Sequence, residues 1–151
     1  MISSKAKYGL HALIHLSEKY NTGPVLIADL ARDEKIPKKF LELILLDLKN
    51  NGILESKKGK GGGYKLAKQP SDVKIGQVIR ILDGPLAPVS CVSQTAYKPC
   101  KECKDEYHCG IRLVMKDVRE AIANILDKTT LADIGLKIQN LGVDLNLNYQ
   151  I

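Results

Sequence analysis

The sequence predicts a mostly α-helical fold with one small β hairpin, and three observations carry that prediction. Apolar residues recur at helical spacing in most segments that lie between turn signals. One stretch, Ile53 to Leu66, instead has two strand-like runs around a glycine-rich centre. The core must be assembled from Leu, Ile, Val and Ala, because the 151 residues include six Tyr, one Phe and no Trp.

Ser4 to Tyr20 reads as the first helix, with Tyr8, Leu10, Ala12, Leu13 and Leu16 on its apolar side. Ser3 or Ser4 suits its N-cap, and Asn21-Thr22-Gly23-Pro24 stops it. Val25 and Leu26 are short and extended, and Ile27 to Asp33 forms a brief helix. Pro37 fits the first turn of the next helix, where Phe40, Leu41, Ile44, Leu45 and Leu48 keep helical spacing until Asn50-Asn51-Gly52. Two short helices in tight succession, then strands, fit a helix-turn-helix with a wing. The wing strands are Ile53 to Lys57 and Gly63 to Leu66, joined by Lys58-Gly59-Lys60-Gly61-Gly62.

Pro70-Ser71-Asp72 is a turn. Lys74 to Leu82 is a short helix with Ile75, Val78, Ile79 and Leu82 on one side, ended by Asp83-Gly84-Pro85. Leu86 to Tyr107 has weak periodicity and reads as a loop. Ile111 to Leu126 is a long helix whose Ile111, Val114, Met115, Val118, Ile122, Ile125 and Leu126 form a continuous apolar stripe suited to a partner subunit. Thr130 to Ile134 adds one turn. The tail from Gly135 to Ile151 alternates at Val143, Leu145, Leu147 and Tyr149, as an edge strand, an ordered arm or a loose end would. The expected division is a winged helix-turn-helix DNA-binding domain over 1–84, a cysteine-rich sensor loop over 85–110, a dimerisation helix and cap over 111–134, and a C-terminal arm or tail over 135–151.

The formal net charge is +6, from 23 Lys and Arg against 17 Asp and Glu, which favours anionic partners. Met1 to Leu16 is apolar only at intervals, without the continuous core of a secretory signal. No stretch approaches the roughly 18 apolar residues of a membrane span. The expected location is therefore the cytoplasm, with no membrane partner.

The helix after Pro37 presents Lys38, Lys39, Glu42 and Lys49, and its first turns could reach base edges in a major groove. Lysine can donate to phosphate or guanine, and Glu42 can accept from a cytosine amino group. Taken singly these are ordinary solvated charges; the basic wing following at winged-helix separation makes them a surface. Lys57, Lys58 and Lys60 supply phosphate or minor-groove contacts, and Gly59, Gly61 and Gly62 let the tip enter a narrow groove beside Tyr64. Lys5 and Lys7 are further backbone contacts. A phosphate-cradling glycine loop would need a helix next, and a strand follows instead.

Cys91, Cys100, Cys103 and Cys109 are the only cysteines, spaced Cys91-x8-Cys100-x2-Cys103-x5-Cys109. Four soft thiolates could hold zinc or an iron–sulphur cluster, and Lys98, Lys101 and Lys104 would offset the charge. Only Cys100 and Cys103 form a close pair, whereas structural zinc usually takes two such pairs. A metal-free redox thiol pair and idle cysteines stay open as readings. His108 is a ligand or a surface histidine. His11 and His15 share a helix face without an acidic companion in sequence, so a core or surface role is expected. The Cys100-x2-Cys103 pair lacks the strand–helix context of a disulfide-exchange enzyme, so no enzyme is expected.

Five segments together resemble the iron–sulphur cluster regulator family of bacterial winged-helix repressors, with its cysteine-metabolism and nitric-oxide-sensing relatives. They are Ser4-Lys5-Ala6-Lys7-Tyr8-Gly9-Leu10, Phe40-Leu41-Glu42, Leu48-Lys49-Asn50-Asn51-Gly52, Lys58-Gly59-Lys60-Gly61-Gly62-Gly63-Tyr64-Lys65-Leu66 and Thr130-Leu131-Ala132-Asp133-Ile134, with the cysteine loop between the last two. The resemblance implies a homodimer on a palindromic operator in double-stranded DNA, with Lys39 and Glu42 on the recognition helix and Lys58 at the wing. It implies a two-iron or four-iron cluster on Cys91, Cys103 and Cys109, with Cys100 additional or in place of Cys103. A histidine three positions after the last cysteine is usual in that family, and Arg112 stands there instead, which leaves the cluster type and remaining ligand open. The expected mechanism is repression switched by the cysteine loop. The alternatives are a cofactor-free repressor controlled by thiol redox state, zinc or a partner metabolic enzyme.

Overall fold

The structure, a computed structural model, describes residues 2–148, with side chains to residue 142. Six α-helices and one two-stranded sheet are present among the described residues. No helix among them is long and apolar enough to cross a membrane.

Helix α1 (Ser4–Glu18) is capped by Ser3, whose side chain accepts from the Ala6 amide at 3.1 Å. Helix α2 (Ile27–Glu34) follows the extended Val25, and α3 (Lys38–Asn50) begins directly after Pro37, which sits at the N-cap. The buried residues of α3 are Leu41, Ile44, Leu45 and Leu48, four of the five apolar residues expected there. The fifth, Phe40, is half-exposed and meets Tyr8 edge-on, with ring centroids 5.7 Å apart.

Strands β1 (Leu54–Lys57) and β2 (Gly63–Leu66) pair antiparallel, with Leu54 opposite Leu66 and Lys57 opposite Gly63. The hairpin is pinned to the body by two reciprocal backbone hydrogen bonds of 2.9 Å between Val25 and Tyr64. After a 3-10 turn at Pro70–Asp72, α4 (Ile75–Asp83) buries Ile75, Val78, Ile79 and Leu82, as its spacing predicted. These side chains join Leu13, Leu16, Leu30 and Ile53 in one core beneath α3 and the wing.

The cysteine segment is a loop broken by one 3-10 turn, Ser90–Val92. Helix α5 (Gly110–Leu126) then leaves the core: none of its residues is buried, and Ile111, Val114 and Ile125 are 70%, 58% and 65% exposed.

The tail differs from the expectation. Helix α6 runs unbroken over Leu131–Asn148, where a single turn followed by a strand or arm was expected. Two features build it. Thr130 and Asp133 cap it reciprocally, the Thr130 amide donating to Oδ2 at 2.8 Å and the Asp133 amide to Oγ1 at 3.1 Å. Leu131, Ile134, Ile138 and Leu141 then recur at helical spacing, and the helix packs against α1. The alternation at Val143, Leu145 and Leu147 lies inside this helix, and Tyr149 falls outside the described residues. Bonds from Ile75 to Thr129 (2.9 Å) and from Leu131 to Val73 (3.1 Å), with the Arg80–Asp127 ion pair at 2.5 Å, fasten the α5–α6 junction to α4.

Candidate nucleic-acid interface and cysteine loop

A groove of ≈ 490 Å³ runs between α3, the wing and the start of α2. Lys38, Glu42 and Lys49 reach it from α3, and Lys57, Lys58, Gly59, Gly62 and Tyr64 from the hairpin. Seven of the eleven residues expected to touch DNA therefore share one concave surface with Lys49: Lys38, Glu42, Lys57, Lys58, Gly59, Gly62 and Tyr64. Lys39, Lys60 and Gly61 are exposed just outside it. Lys5 is elsewhere, its Nζ 2.7 Å from Asp47, tying α1 to α3.

The tip geometry follows from its glycines. Gly59 and Gly61 hold φ of 87° and 73°, a region open to glycine and costly for most other residues. Gly63 has φ of 139°, and a Cβ there would lie 2.1 Å from the Val25 carbonyl oxygen. Among the described residues, Lys38, Lys39, Lys49, Lys57, Lys58 and Lys60 form no ion pair with an acid, whereas Lys65 on the same hairpin pairs with Glu55 at 2.9 Å. Unpaired ammonium groups on one face make a surface that attracts a polyanion.

All four cysteines line a second cavity, of ≈ 510 Å³, closed on one side by Ile111 and Arg112 at the start of α5. Cys91 is buried in the Ser90–Val92 turn, Cys103 and Cys109 are half-buried, and Cys100 is exposed. Cys103 and Cys109 both line this cavity, and their thiols are pushed in opposite directions. Desolvation, then the neighbouring Cys109, raises Cys103 above the ordinary thiol range. Cys109 is lowered, first by the backbone amide of Arg112, with Cys103 and the Ile111 amide adding to it. Its sulphur occupies the N-cap position of α5 without closing a regular capping bond, so these amides favour a thiolate.

The loop is tied to α5 through arginines. Arg112 Nε donates to the Cys91 carbonyl at 3.3 Å and faces Glu106 at 3.1 Å; Arg119 donates to the Val92 carbonyl at 2.8 Å. Glu106 also accepts from the Tyr97 hydroxyl, at 2.8 and 2.7 Å, and this bond raises the Tyr97 pKa. Arg112 has no lone pair to offer a metal. His108 is paired with Asp105 at 2.5 Å and is absent from the cavity wall. His15 does have an acidic companion, which sequence spacing did not reveal: Glu34, from α2, lies 2.7 Å from its Nδ1 and 3.9 Å from that of His11.

As donors for an iron–sulphur cluster or zinc, the four thiols fit in kind and number. They do not converge: among the described residues no group of three or more His, Cys, Asp or Glu is arranged to hold a metal ion.

Sequence reasoning assigned no role to Leu43 and Leu46, two outward-facing side chains of α3 that lie off its apolar stripe. The signal available was their offset from the buried stripe.

The profile of the Rrf2 family, described as iron-dependent transcriptional regulators, matches residues 2–136. An rrf2-like helix-turn-helix regulator of Rhodobacter capsulatus is 42% identical over 137 residues, covering 89% of this chain and 91% of that one. CymR of Bacillus subtilis is 32% identical over 133 residues, 88% of each chain. Its solved structure, described as that of the global cysteine regulator, superposes with a TM-score of 0.73 at 30% identity, over 89% of this chain and 95% of that one. IscR of T. potens superposes with the same TM-score, 0.73, at 28% identity, over 91% of this chain and 88% of that one.

Proposed function

The chain belongs to the Rrf2 family of transcriptional regulators, a family of DNA-binding proteins and not of enzymes, and from that premise we propose that it is a homodimeric repressor of a palindromic operator, with an affinity set by the thiols between Cys91 and Cys109. The observation that carries this reading is the shared cavity: four thiols face one space whose wall is the first turn of α5. Any change that draws those sulphurs together moves the segment that Arg112 and Arg119 fasten to α5. The exposed apolar stripe of α5 is the surface on which a second copy would sit, so that movement alters the spacing of the two α3 helices on DNA.

Thiol oxidation suits a cavity that Cys103 and Cys109 line together, with the Cys109 thiol lowered and the Cys103 thiol raised. With a peroxide as oxidant, the Cys109 thiolate attacks one peroxide oxygen, the O–O bond breaks, and a sulphenic acid forms with loss of hydroxide. The Cys103 thiolate then attacks that sulphur, an S–S bond forms, and a second hydroxide leaves. Two thiol protons convert the two hydroxides to water, and two electrons pass from the thiol pair to the peroxide.

The family description favours a second reading, an iron–sulphur cluster on Cys91, Cys103 and Cys109 with Cys100 as the fourth donor. When bound, the cluster would supply a centre sensitive to redox state and nitric oxide. The chain's own part would be to close the loop around it, since the donors as they stand do not converge.

One experiment separates the two. Operators are selected from a random duplex pool, and affinity is measured anaerobically for metal-free reduced protein, peroxide-treated protein and protein loaded with iron and sulphide. Thiol control predicts at least a tenfold change on peroxide treatment of the metal-free protein, absent in Cys103→Ser and Cys109→Ser. A change that appears only on loading with iron and sulphide overturns thiol control in favour of the cluster.

A further inference from the structure

Helix α3 carries two stripes. The buried one is Leu41, Ile44, Leu45 and Leu48. The other, two residues out of phase, is Lys39, Glu42, Leu43, Leu46 and Asn50, all exposed. A two-residue offset is about 200° around a helix, so the second stripe faces directly away from the core. Leu43 and Leu46, three residues apart within it, are 60% and 45% exposed. Leaving two leucines in water next to Lys39 and Glu42, on the helix that forms one wall of the basic groove, gains nothing for folding.

Their surroundings define the occupant. Lys38, Lys39 and Lys49 flank them on the same helix, and Lys57 and Lys58 stand across the groove. A polyanion is drawn to that face, and the one apolar group that B-form DNA presents in its major groove is the C5 methyl of thymine. We propose that Leu43 and Leu46 are specificity residues that contact thymine methyl groups in the operator half-site. Lys39 and Glu42, on the same stripe, donate to and accept from neighbouring base edges, so the four side chains read four adjoining positions by different chemistry.

This inference rests on the DNA-binding reading, and the test keeps the two apart. The selected operator is remade with deoxyuridine at each thymine in turn, which removes one methyl and leaves every hydrogen bond intact. Wild-type protein should lose about four-fold in affinity at one or two thymines per half-site, the worth of one buried methyl. Leu43→Ala and Leu46→Ala should each bind more weakly and each lose the methyl dependence at its own position. Both side chains are exposed, so circular dichroism should show folded variants, and the deoxyuridine scan of wild-type protein stands without them. Operator binding indifferent to every thymine methyl overturns the inference alone. Failure to retain any duplex overturns the DNA reading and this inference together. Alanine variants that keep full methyl dependence but change the sedimentation of the free protein would make the leucines a protein–protein contact, and the inference would fall.

Discussion

Single atoms decide the behaviour of the wing and the cysteine loop. At Gly63, a methyl group would strike the Val25 carbonyl oxygen at 2.1 Å, and the backbone there holds φ of 139°. Both partners are main chain, so neither can turn aside. Gly63→Ala should therefore cost on the order of 1–3 kcal/mol and loosen the hairpin, measurable by urea unfolding. At the loop, Cys109 and Cys103 line one cavity but differ in environment: amides at the start of α5 favour one thiolate, and desolvation disfavours the other. In metal-free reduced protein, the pH at which alkylation becomes fast should lie below the ordinary thiol range for Cys109 and above it for Cys103. Peptide mapping after timed iodoacetamide treatment reads both, and equal pH profiles would contradict the assignment.

Among the elements, α6 depends on its first turn. Thr130 and Asp133 satisfy one another's amides, and removing the hydroxyl in Thr130→Ala should cost about 1 kcal/mol. The Asp133 carboxyl is held below the usual carboxylate range, first by the Thr130 amide and then by its hydroxyl. A lowered pKa in the folded state contributes stability that is complete above the unfolded value and disappears as the pH falls through the native one. The difference in melting temperature between wild type and Thr130→Ala should accordingly be widest near neutrality and shrink on acidification. Asp127 follows the same sign, because its hydrogen bonds with Arg80, at 2.5 and 2.9 Å, hold its pKa down.

The whole molecule offers a groove lined by lysines on α3 and the wing and an uncovered apolar stripe on α5. Lys58 lines the groove without an ion pair among the described residues, so Lys58→Ala should weaken binding about equally on all duplexes and reduce the salt slope by about one. Val114, 58% exposed in the α5 stripe, has nothing over it in a single chain. Val114→Asp should shift the protein from dimer to monomer in sedimentation and lower operator affinity at least tenfold, with helical content unchanged. A wild-type protein that sediments as a monomer at micromolar concentration would remove the dimer from the proposal.

The helices through α4 were legible residue by residue, because apolar periodicity, caps and glycine stops agree along that stretch. Leu41, Ile44, Leu45 and Leu48, and likewise Ile75, Val78, Ile79 and Leu82, are buried as their spacing demanded. The hairpin was legible because glycines between two strand-like runs mark a turn whose positive φ, seen at Gly59 and Gly61, other residues rarely adopt. By itself, then, the sequence determined the helix-turn-helix, the wing and the position of the cysteine loop, all of which rest on local signals. Tertiary structure decided what depends on distant partners. It set the full length of α6, which packs against α1 and buries Leu131, while Leu136, Ile138 and Leu141 stay exposed. It brought Glu34 to His15 and Asp47 to Lys5. It gathered four cysteines spread over nineteen positions around one cavity against α5, and it turned Leu43 and Leu46 outward. Spacing along a chain specifies a face of one helix; only packing specifies what that face meets.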